Sequence, residues 1–292
     1  MEFFDAPRPA AGDDRFALRL GPLDIELAGL DADLARLLYD RYAPYSTHGA
    51  ECEDALRLRL ALEDHDYFID PPETSEFVRV HLACDGERLR YLSYRVAAWF
   101  DTKGGEGRVL LARGGYEPCE RALENLVRSA VAWQAASRGG VLVHAASAVH
   151  KDKGYLFYGE SGAGKSTLSA CNRRARVVSD DLSLLLPGDN EALELVGSPF
   201  RGTYTEGSPV VGRFPLAAGF RLIQAEEANV RPVDRARAMS ELVGNLPFVA
   251  EFFADRPDLF QRVASAFASV PLSHLHFCKD DTYWDAIEAA GL

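Results

Sequence analysis

The sequence predicts an α/β fold that is α+β overall, with an N-terminal antiparallel β-rich region followed by a core of strands and helices. Three patterns support this. Alternating apolar and polar residues run from about 56 to 112, an order of strand, glycine-rich loop, helix and strand occupies 141–187, and helical periodicity dominates 234–269 and 280–292, with a late strand between them. We therefore divide the 292 residues into an N-terminal region, 1–115, and a core, 116–292.

The N-terminal region is predicted to start with a strand over 16–27 and a helix over 31–45, for which Asp31 is the N-cap. Turn residues such as Asp85-Gly86 then separate further strand-like segments, which predict an antiparallel meander: 55–62, 76–85, 88–100 and 108–114. A helix follows over 117–138, with Pro118 in its first turn and Gly139-Gly140 at its end.

Charge and cysteine usage limit the classes of partner and compartment. The 44 acidic and 32 basic residues give a net charge of −12. Such a surface repels nucleic-acid backbones and anionic membranes, so we expect neither partner, and any bound anion requires a local site. The five cysteines form no CxxC pair, and the acidic start lacks the features of a signal peptide, so we expect a cytoplasmic protein with free thiols.

The segment GESGAGKST meets the phosphate-binding pattern G-x-x-x-x-G-K-[ST] through Gly159, Gly164, Lys165 and Ser166. Glycines let successive backbone N–H groups point at phosphate oxygens, the lysine reaches the β- and γ-phosphates, and the serine hydroxyl coordinates Mg²⁺. A glycine turn that binds nothing is the alternative, but the flanking strand and small-residue helix favour a nucleotide site. Its remaining residues are Glu160, Ser161, Gly162, Ala163 and Thr167.

Two acidic residues and one histidine accompany this loop. Asp180 and Asp181 end an apolar strand shortly after the loop helix, where one carboxylate can hold Mg²⁺ and the other can accept a proton from an attacking hydroxyl. Neighbouring strand residues point to opposite faces, so both reach one site only if the backbone bends. His144 lies in the apolar strand VLVHAASAV, where either a core or a catalytic role fits.

The segments VHAASAVHKDKGYLFYGESGAGKST (143–167) and VVSDD (177–181) resemble the HPr kinase and phosphoenolpyruvate carboxykinase superfamily, and within it the HPr-kinase-related proteins. The resemblance implies that His144 assists at the phosphate, Lys165 neutralises it, Ser166 holds Mg²⁺, and one of the two aspartates is the base. We choose Asp181 as the base and Asp180 as the metal ligand, although the sequence leaves open which aspartate has which role. The resemblance also makes Arg201 and Glu206, in GSPFRGTYTEG, candidates for binding substrate and metal, with Glu206 as the candidate metal ligand. It covers about residues 138–200 and does not extend to residues 1–115.

The expected function is an ATP- and Mg²⁺-dependent kinase acting on a hydroxyl of a small protein, a precursor peptide or a metabolite. A P-loop NTPase that couples hydrolysis to motion, and a nucleotide sensor without turnover, are the alternatives. The sequence leaves open the identity of the acceptor and the choice among ATP, GTP and pyrophosphate as donor. It also leaves open the oligomeric state, for which a homo-oligomer is one alternative.

Overall fold

The computed structural model describes residues 4, 6–47, 55–70, 80–101, 105–114 and 117–292. The backbone divides into two compact units, residues 1–134 and 135–292. Sixteen strands and six α-helices in the described residues confirm the mixed α/β composition. The division falls inside a helix, later than the predicted boundary at 115/116, so most of that helix belongs to the N-terminal unit rather than to the core.

The N-terminal unit contains one eight-stranded sheet and two helices, the second of which ends beyond the division. In chain order the elements are β1 (Asp14–Leu20), β2 (Leu23–Leu30), α1 (Ala32–Tyr42), β3 (Ser46–Thr47), β4 (Leu56–Glu63), β5 (His81–Asp85), β6 (Arg88–Leu92), β7 (Val96–Asp101), β8 (Glu106–Ala112) and α2 (Cys119–Ser137). The order across the sheet is β3-β1-β2-β4-β8-β7-β6-β5. The predicted strands over 16–27 and 88–100 are each two antiparallel strands joined by a turn.

The predicted antiparallel meander is correct for β5 to β8 and wrong for the centre of the sheet. β4 pairs in parallel with both β2 and β8. A hairpin reverses the chain direction, whereas a longer connection can return the chain to the same end of the sheet. Alternation along each strand is the same in both cases, so it does not specify which strands become neighbours. Residues 76–79 of one predicted strand lie outside the described residues.

Period-two alternation nevertheless predicts correctly which side chains are buried. Phe16, Leu18 and Leu20 of β1 are buried, as are Leu56, Leu58 and Leu60 of β4. Helix α1 begins where Asp31 predicts it, since the Asp31 carboxylate accepts a hydrogen bond of 2.8 Å from the Leu34 N–H. That bond satisfies one of the N–H groups left without a partner at a helix start.

Replacing Asp31 with alanine should lower the free energy of unfolding by about 1 kcal/mol, because the first turn of α1 loses its side-chain acceptor. Asp31→Asn is the matched control, since asparagine caps as well as aspartate and should retain most of the stability. Urea unfolding followed by circular dichroism measures both. Equal losses in the two variants would contradict a capping role.

The second unit also carries an eight-stranded sheet. Its elements are β9 (Val141–His150), β10 (Lys153–Tyr158), α3 (Lys165–Cys171), β11 (Arg176–Ser179), β12 (Leu182–Pro187), β13 (Leu193–Val196), β14 (Arg213–Gln224), β15 (Asn229–Pro232), α4 (Arg235–Val243), a 3₁₀ turn (Ala250–Phe252), α5 (Pro257–Ala266), β16 (Leu272–Phe277) and α6 (Tyr283–Ala289). Helix α6 begins after its N-cap Thr282, and the Asp280 carboxylate accepts a hydrogen bond of 3.0 Å from the Thr282 N–H.

Strand β9 determines the strand directions in this sheet. It is antiparallel to β10 on one side and to β11 and β12 on the other. β14 is parallel to both β10 and β16. Strands β10, β11, β14 and β16 therefore run in one direction and end at one edge, which is where crevices form in sheets of this kind.

Aromatic residues pack the helices onto one face of this sheet. Phe157 of β10, Phe220 of β14 and Phe277 of β16 form a buried cluster with Leu168 of α3 and Trp284 of α6. The cluster fixes α3, and with it the loop that precedes α3, against three strand ends. Among the described residues, no helix combines the length and the apolar character needed to span a membrane.

Candidate active site

A cavity of about 400 Å³ lies at the edge where β10, β11, β14 and β16 end. It is lined by His144, Ser161, Gly162, Gly164, Lys165, Ser166, Thr167, Asp180, Asp181, Gly202, Thr203, Gln224 and Lys279. The structure thus brings together every predicted catalytic residue. A larger groove of about 610 Å³, beside α5, contains none of them. Of the predicted loop residues, Gly159, Glu160 and Ala163 do not line the cavity.

The glycine loop adopts a backbone that requires glycine at two positions. Gly162 and Gly164 have φ values of +81° and +105°, in the left-handed region that side chains disfavour. A Cβ on Gly164 would also lie 2.5 Å from the ring of Phe277. The Gln224 amide donates a hydrogen bond of 2.9 Å to the Gly162 carbonyl. The ends of β14 and β16 therefore hold the loop in place.

The backbone of this loop presents hydrogen-bond donors. Within the described part of the chain, no oxygen accepts a hydrogen bond from the N–H groups of Gly162, Gly164 or Lys165. Backbone N–H groups that converge in a glycine-rich turn form a concave site for anions. The loop accordingly has the donors that a phosphate group requires.

Lys165 lies beneath the loop and is only 7% exposed. Its ammonium donates to the carbonyls of Gly159, at 2.8 Å, and Glu160, at 3.2 Å. Burial lowers the pKa of Lys165 below its ordinary value, and the negative charge of Asp181 partly opposes that shift. The groups that bind the Lys165 ammonium are carbonyls, which have no formal charge. They therefore leave its positive charge to attract an incoming anion.

The carboxylate of Asp180 is 3% exposed and joins three parts of the chain. Its Oδ2 accepts a hydrogen bond of 3.1 Å from the Ser166 hydroxyl. The loop after β13 supplies the other donors: the N–H groups of Gly202 (2.8 Å), Thr203 (3.1 Å) and Tyr204 (3.0 Å), and the Thr203 hydroxyl (3.3 Å). A buried carboxylate requires such donors, and here they fix its position beside Ser166.

The two aspartates share the cavity because they lie in a break between two strands, where the alternation of side chains does not apply. β11 and β12 follow one another along the same side of β9, and Asp180-Asp181 is the break between them. Ser179 stabilises the break: its hydroxyl donates to the Phe200 carbonyl at 2.6 Å and accepts from the N–H groups of Asp181 and Leu182. Asp180 and Asp181 therefore follow the end of β11, as the sequence predicts, and a second strand, β12, begins directly after them.

His144 lies in β9, where pairing with β12 on one side ends and pairing with β10 on the other side begins. The strand pairs with β12 up to His144 and with β10 from Ala145 onward. The imidazole Nε2 is 3.5 Å from Asp181 Oδ1, and the two side chains are 46% and 27% exposed. His144 is thus a cavity residue and not part of the apolar core, and Asp181 is the more accessible of the two aspartates.

The loop between β13 and β14 contributes Arg201, a candidate from the resemblance, and the N–H groups of Gly202, Thr203 and Tyr204, which sequence reasoning missed. Arg201 donates to the carbonyls of Val177 and Val178 on β11 and of Glu206, Gly207 and Ser208 in its own loop. It thereby ties this loop to the strand that carries Asp180. The sequence signal for this loop was the arginine followed by glycine in the segment FRGT. The Arg201 guanidinium binds the carbonyls of β11, and the Gly202 N–H donates to Asp180.

Glu206 does not join the predicted metal ligands. It is exposed, does not line the cavity, and contributes only its carbonyl, which accepts from Arg201 at 3.4 Å. No group of three or more histidine, cysteine, aspartate or glutamate side chains in the described residues is arranged to hold a metal ion. Of the predicted metal ligands, Ser166 and Asp180 lie together in the cavity, joined by their hydrogen bond.

Neither the protein-family models nor the curated proteins contain a match to this chain. The resemblance to HPr-kinase-related proteins accordingly depends on the residues of 143–181 themselves.

Replacing Gly164 with alanine should destabilise the second unit more than replacing Gly162 does. Both variants force a side chain into positive φ, at a cost of about 1 to 2 kcal/mol. Only the Gly164 variant adds a contact with the buried ring of Phe277, for which overpacking costs about 1 to 3 kcal/mol more.

Urea unfolding of the two variants measures this difference. Gly162→Ala is the matched control, because no atom lies within 4 Å of its added Cβ. The double variant Gly164→Ala/Phe277→Leu should recover part of the loss. Equal stabilities of the two single variants would show that Phe277 does not restrict the loop.

Proposed function

We propose that this protein is an ATP- and Mg²⁺-dependent phosphotransferase whose acceptor is a hydroxyl, on a serine of a small protein or peptide or on a small molecule. The observation that carries the proposal is the 3.1 Å hydrogen bond between Ser166 and Asp180, in one cavity with Lys165 and the accessible Asp181. A hydroxyl and a carboxylate beside a phosphate loop are the ligands that a nucleotide-bound Mg²⁺ takes from a protein.

The residues present fit a magnesium ion that arrives with the nucleotide. Mg²⁺ commonly uses one or two protein oxygens and completes its coordination with substrate phosphates and water. Ser166 and Asp180 offer hard oxygen ligands, and Asp180 Oδ1 accepts only the Gly202 N–H among the hydrogen bonds described above. When bound, the ion would neutralise charge on the β- and γ-phosphates.

Asp181 is the better placed of the two aspartates to act as a base. Asp180 is enclosed by donors, so its carboxylate has little access to an acceptor hydroxyl. Asp181 faces the cavity with His144 beside it. In the proposed step the acceptor oxygen forms a bond to the γ-phosphorus while its proton passes to Asp181. The bond from phosphorus to the bridging β–γ oxygen breaks, and the diphosphate leaves.

Lys165 supports this step through its charge. Its ammonium would reach the β- and γ-phosphates from beneath the loop and offset the charge that builds on the leaving diphosphate. Because it is already held by Gly159 and Glu160, little reorganisation is needed when the nucleotide binds. His144, 3.5 Å from Asp181, holds the orientation of that carboxylate.

Lys165→Ala should remove Mg-ATP binding and transfer with little loss of fold. Wild-type protein should gain about 2.7 kcal/mol of stability at a nucleotide concentration of 100 times Kd, and the variant should gain much less. In the wild type, affinity should fall as pH rises through the pKa of Lys165, and the fall should begin below the ordinary lysine value of 10.5, because burial lowers that pKa.

Thermal unfolding with and without Mg-ATP, from pH 7 to pH 10, measures these effects. Lys165→Arg is the control, since arginine keeps its charge over this range and should show a flatter pH dependence. Absence of any shift for wild type with Mg-ATP, Mg-GTP or pyrophosphate would remove the nucleotide site from consideration.

Asn substitutions should separate the roles of the two aspartates. Asp181→Asn should leave Mg-ATP affinity within a few-fold and slow transfer by about 10²–10⁴, the range for loss of a general base. Asp180→Asn should weaken Mg²⁺-dependent nucleotide binding. The measurement is single-turnover transfer from γ-labelled ATP to serine peptides and the products of neighbouring genes, beside nucleotide titration.

The same assay distinguishes the alternatives. A kinase should hydrolyse ATP slowly alone and transfer phosphate when a hydroxyl partner is added. Hydrolysis that no acceptor redirects would indicate a coupled NTPase, and binding without turnover would indicate a sensor. If both Asn variants bind and transfer like wild type, Asp181 is not the base and Asp180 is not the metal ligand.

A further inference from the structure

A second lysine lines the same cavity as Lys165. The chain has only five lysines against 27 arginines, and Lys165 and Lys279 both border this cavity. The charges around it are therefore two lysines and two aspartates, which sum to zero. Mg-ATP adds a formal charge of −2, so without Lys279 the occupied cavity would carry a further uncompensated negative charge.

The position of Lys279 follows from the strand order. The strands run β11-β9-β10-β14-β16 across the sheet, and the glycine loop follows β10. Asp180 and Asp181 follow β11, whereas Lys279 lies two residues beyond the end of β16. The aspartates and Lys279 are thus on opposite sides of the loop.

Two contacts keep the Lys279 side of the cavity close to the loop. The ring of Phe277, at the end of β16, packs against Gly164 so closely that a Cβ there would clash. Gln224, at the end of β14, bonds to Gly162. Lys279 follows Phe277 by two residues and lines the same cavity as the loop. A phosphate group held on the loop would therefore lie on the side of the cavity that Lys279 borders.

The Lys279 ammonium is available to a ligand. The side chain is exposed, and no oxygen in the described part of the chain accepts a hydrogen bond from it. Lys165, by contrast, is buried and held by two carbonyls. The two cations therefore differ in role: one is fixed beneath the loop, and the other can approach a bound anion from solvent.

We infer that Lys279 contacts the phosphate group next to the nucleoside and so fixes the direction of the donor across the cavity. The γ-phosphate then points toward Asp181 and His144, and the nucleoside extends over the ends of β14 and β16. This inference rests on the proposed function, because it assigns the orientation of the nucleotide at the same site. Lys279 is a specificity-determining residue for a nucleotide over pyrophosphate.

Lys279→Gln should weaken Mg-ATP and Mg-ADP binding by about tenfold, the effect of losing one charge-assisted hydrogen bond at a solvent-accessible site. Mg-pyrophosphate, which lacks the phosphate next to the nucleoside, should bind within about twofold of wild type. The KM for ATP should rise by a similar factor. Lys279→Arg, which keeps the charge, should restore most of the affinity.

Isothermal titration of the full chain with Mg-ATP, Mg-ADP and Mg-pyrophosphate provides the measurement. Lys151→Gln is the matched control: this lysine is exposed, is paired with Glu288 at 2.7 Å, and follows the opposite end of β9 from His144. It should leave all three affinities unchanged.

Three outcomes would overturn the inference. Unchanged nucleotide affinity in Lys279→Gln would show that the lysine does not contact the donor. An equal loss for pyrophosphate and ATP would place it on the β- and γ-phosphates, and a loss confined to the KM of the acceptor would place it on the other substrate. In each case wild-type binding of Mg-ATP would leave the proposed function standing, whereas a wild type that binds no nucleotide would end both.

Discussion

The hydrogen bonds to the Asp180 carboxylate are the constraint on which the site depends. A carboxylate buried to this degree is costly unless donors surround it, and this one collects them from the glycine loop and from the loop after β13. The Ser166 hydroxyl is thereby fixed at the end of β11. Removing the carboxylate would leave the N–H groups of Gly202, Thr203 and Tyr204 without this acceptor, so its role in structure and its proposed role in chemistry are coupled.

Strand β9 makes this arrangement possible. It is antiparallel to the strands on both sides, so β10 and β11 run in one direction and the loop and the aspartates emerge at one edge. His144 is the last residue of β9 that pairs with β12, and it lies at the same edge. Its side chain is exposed, although the residues on both sides of it in β9 are buried.

The protein carries a net charge of −12, and its site for an anion is therefore local. Burial separates Lys165 from solvent, which lowers its pKa and strengthens its interaction with a bound phosphate. The backbone N–H groups of the loop supply the rest of the attraction for an anion and add no charge to the protein. This division explains how an acidic surface and the proposed phosphate-binding cavity can coexist.

Local rules account for what the sequence determined by itself. Period-two alternation predicted the buried faces of β1 and β4, an aspartate predicted the start of α1, and the glycines before a lysine predicted a loop that presents backbone N–H groups. The resemblance of 143–181 brought His144, Lys165 and the aspartates into one hypothesis, and they do lie in one cavity. Each of these features depends on residues a few positions apart, so the sequence records it directly.

Tertiary structure decided the rest, because it depends on which strands become neighbours. The parallel pairing of β4, the accessibility of Asp181 and the exclusion of Glu206 follow from strand order and from a break held by Ser179. Gln224 and Lys279 carry no motif, and only the parallel pairing of β14 with β10 and β16 brings them to the cavity. Such pairings join residues far apart in the chain, and no local pattern specifies them.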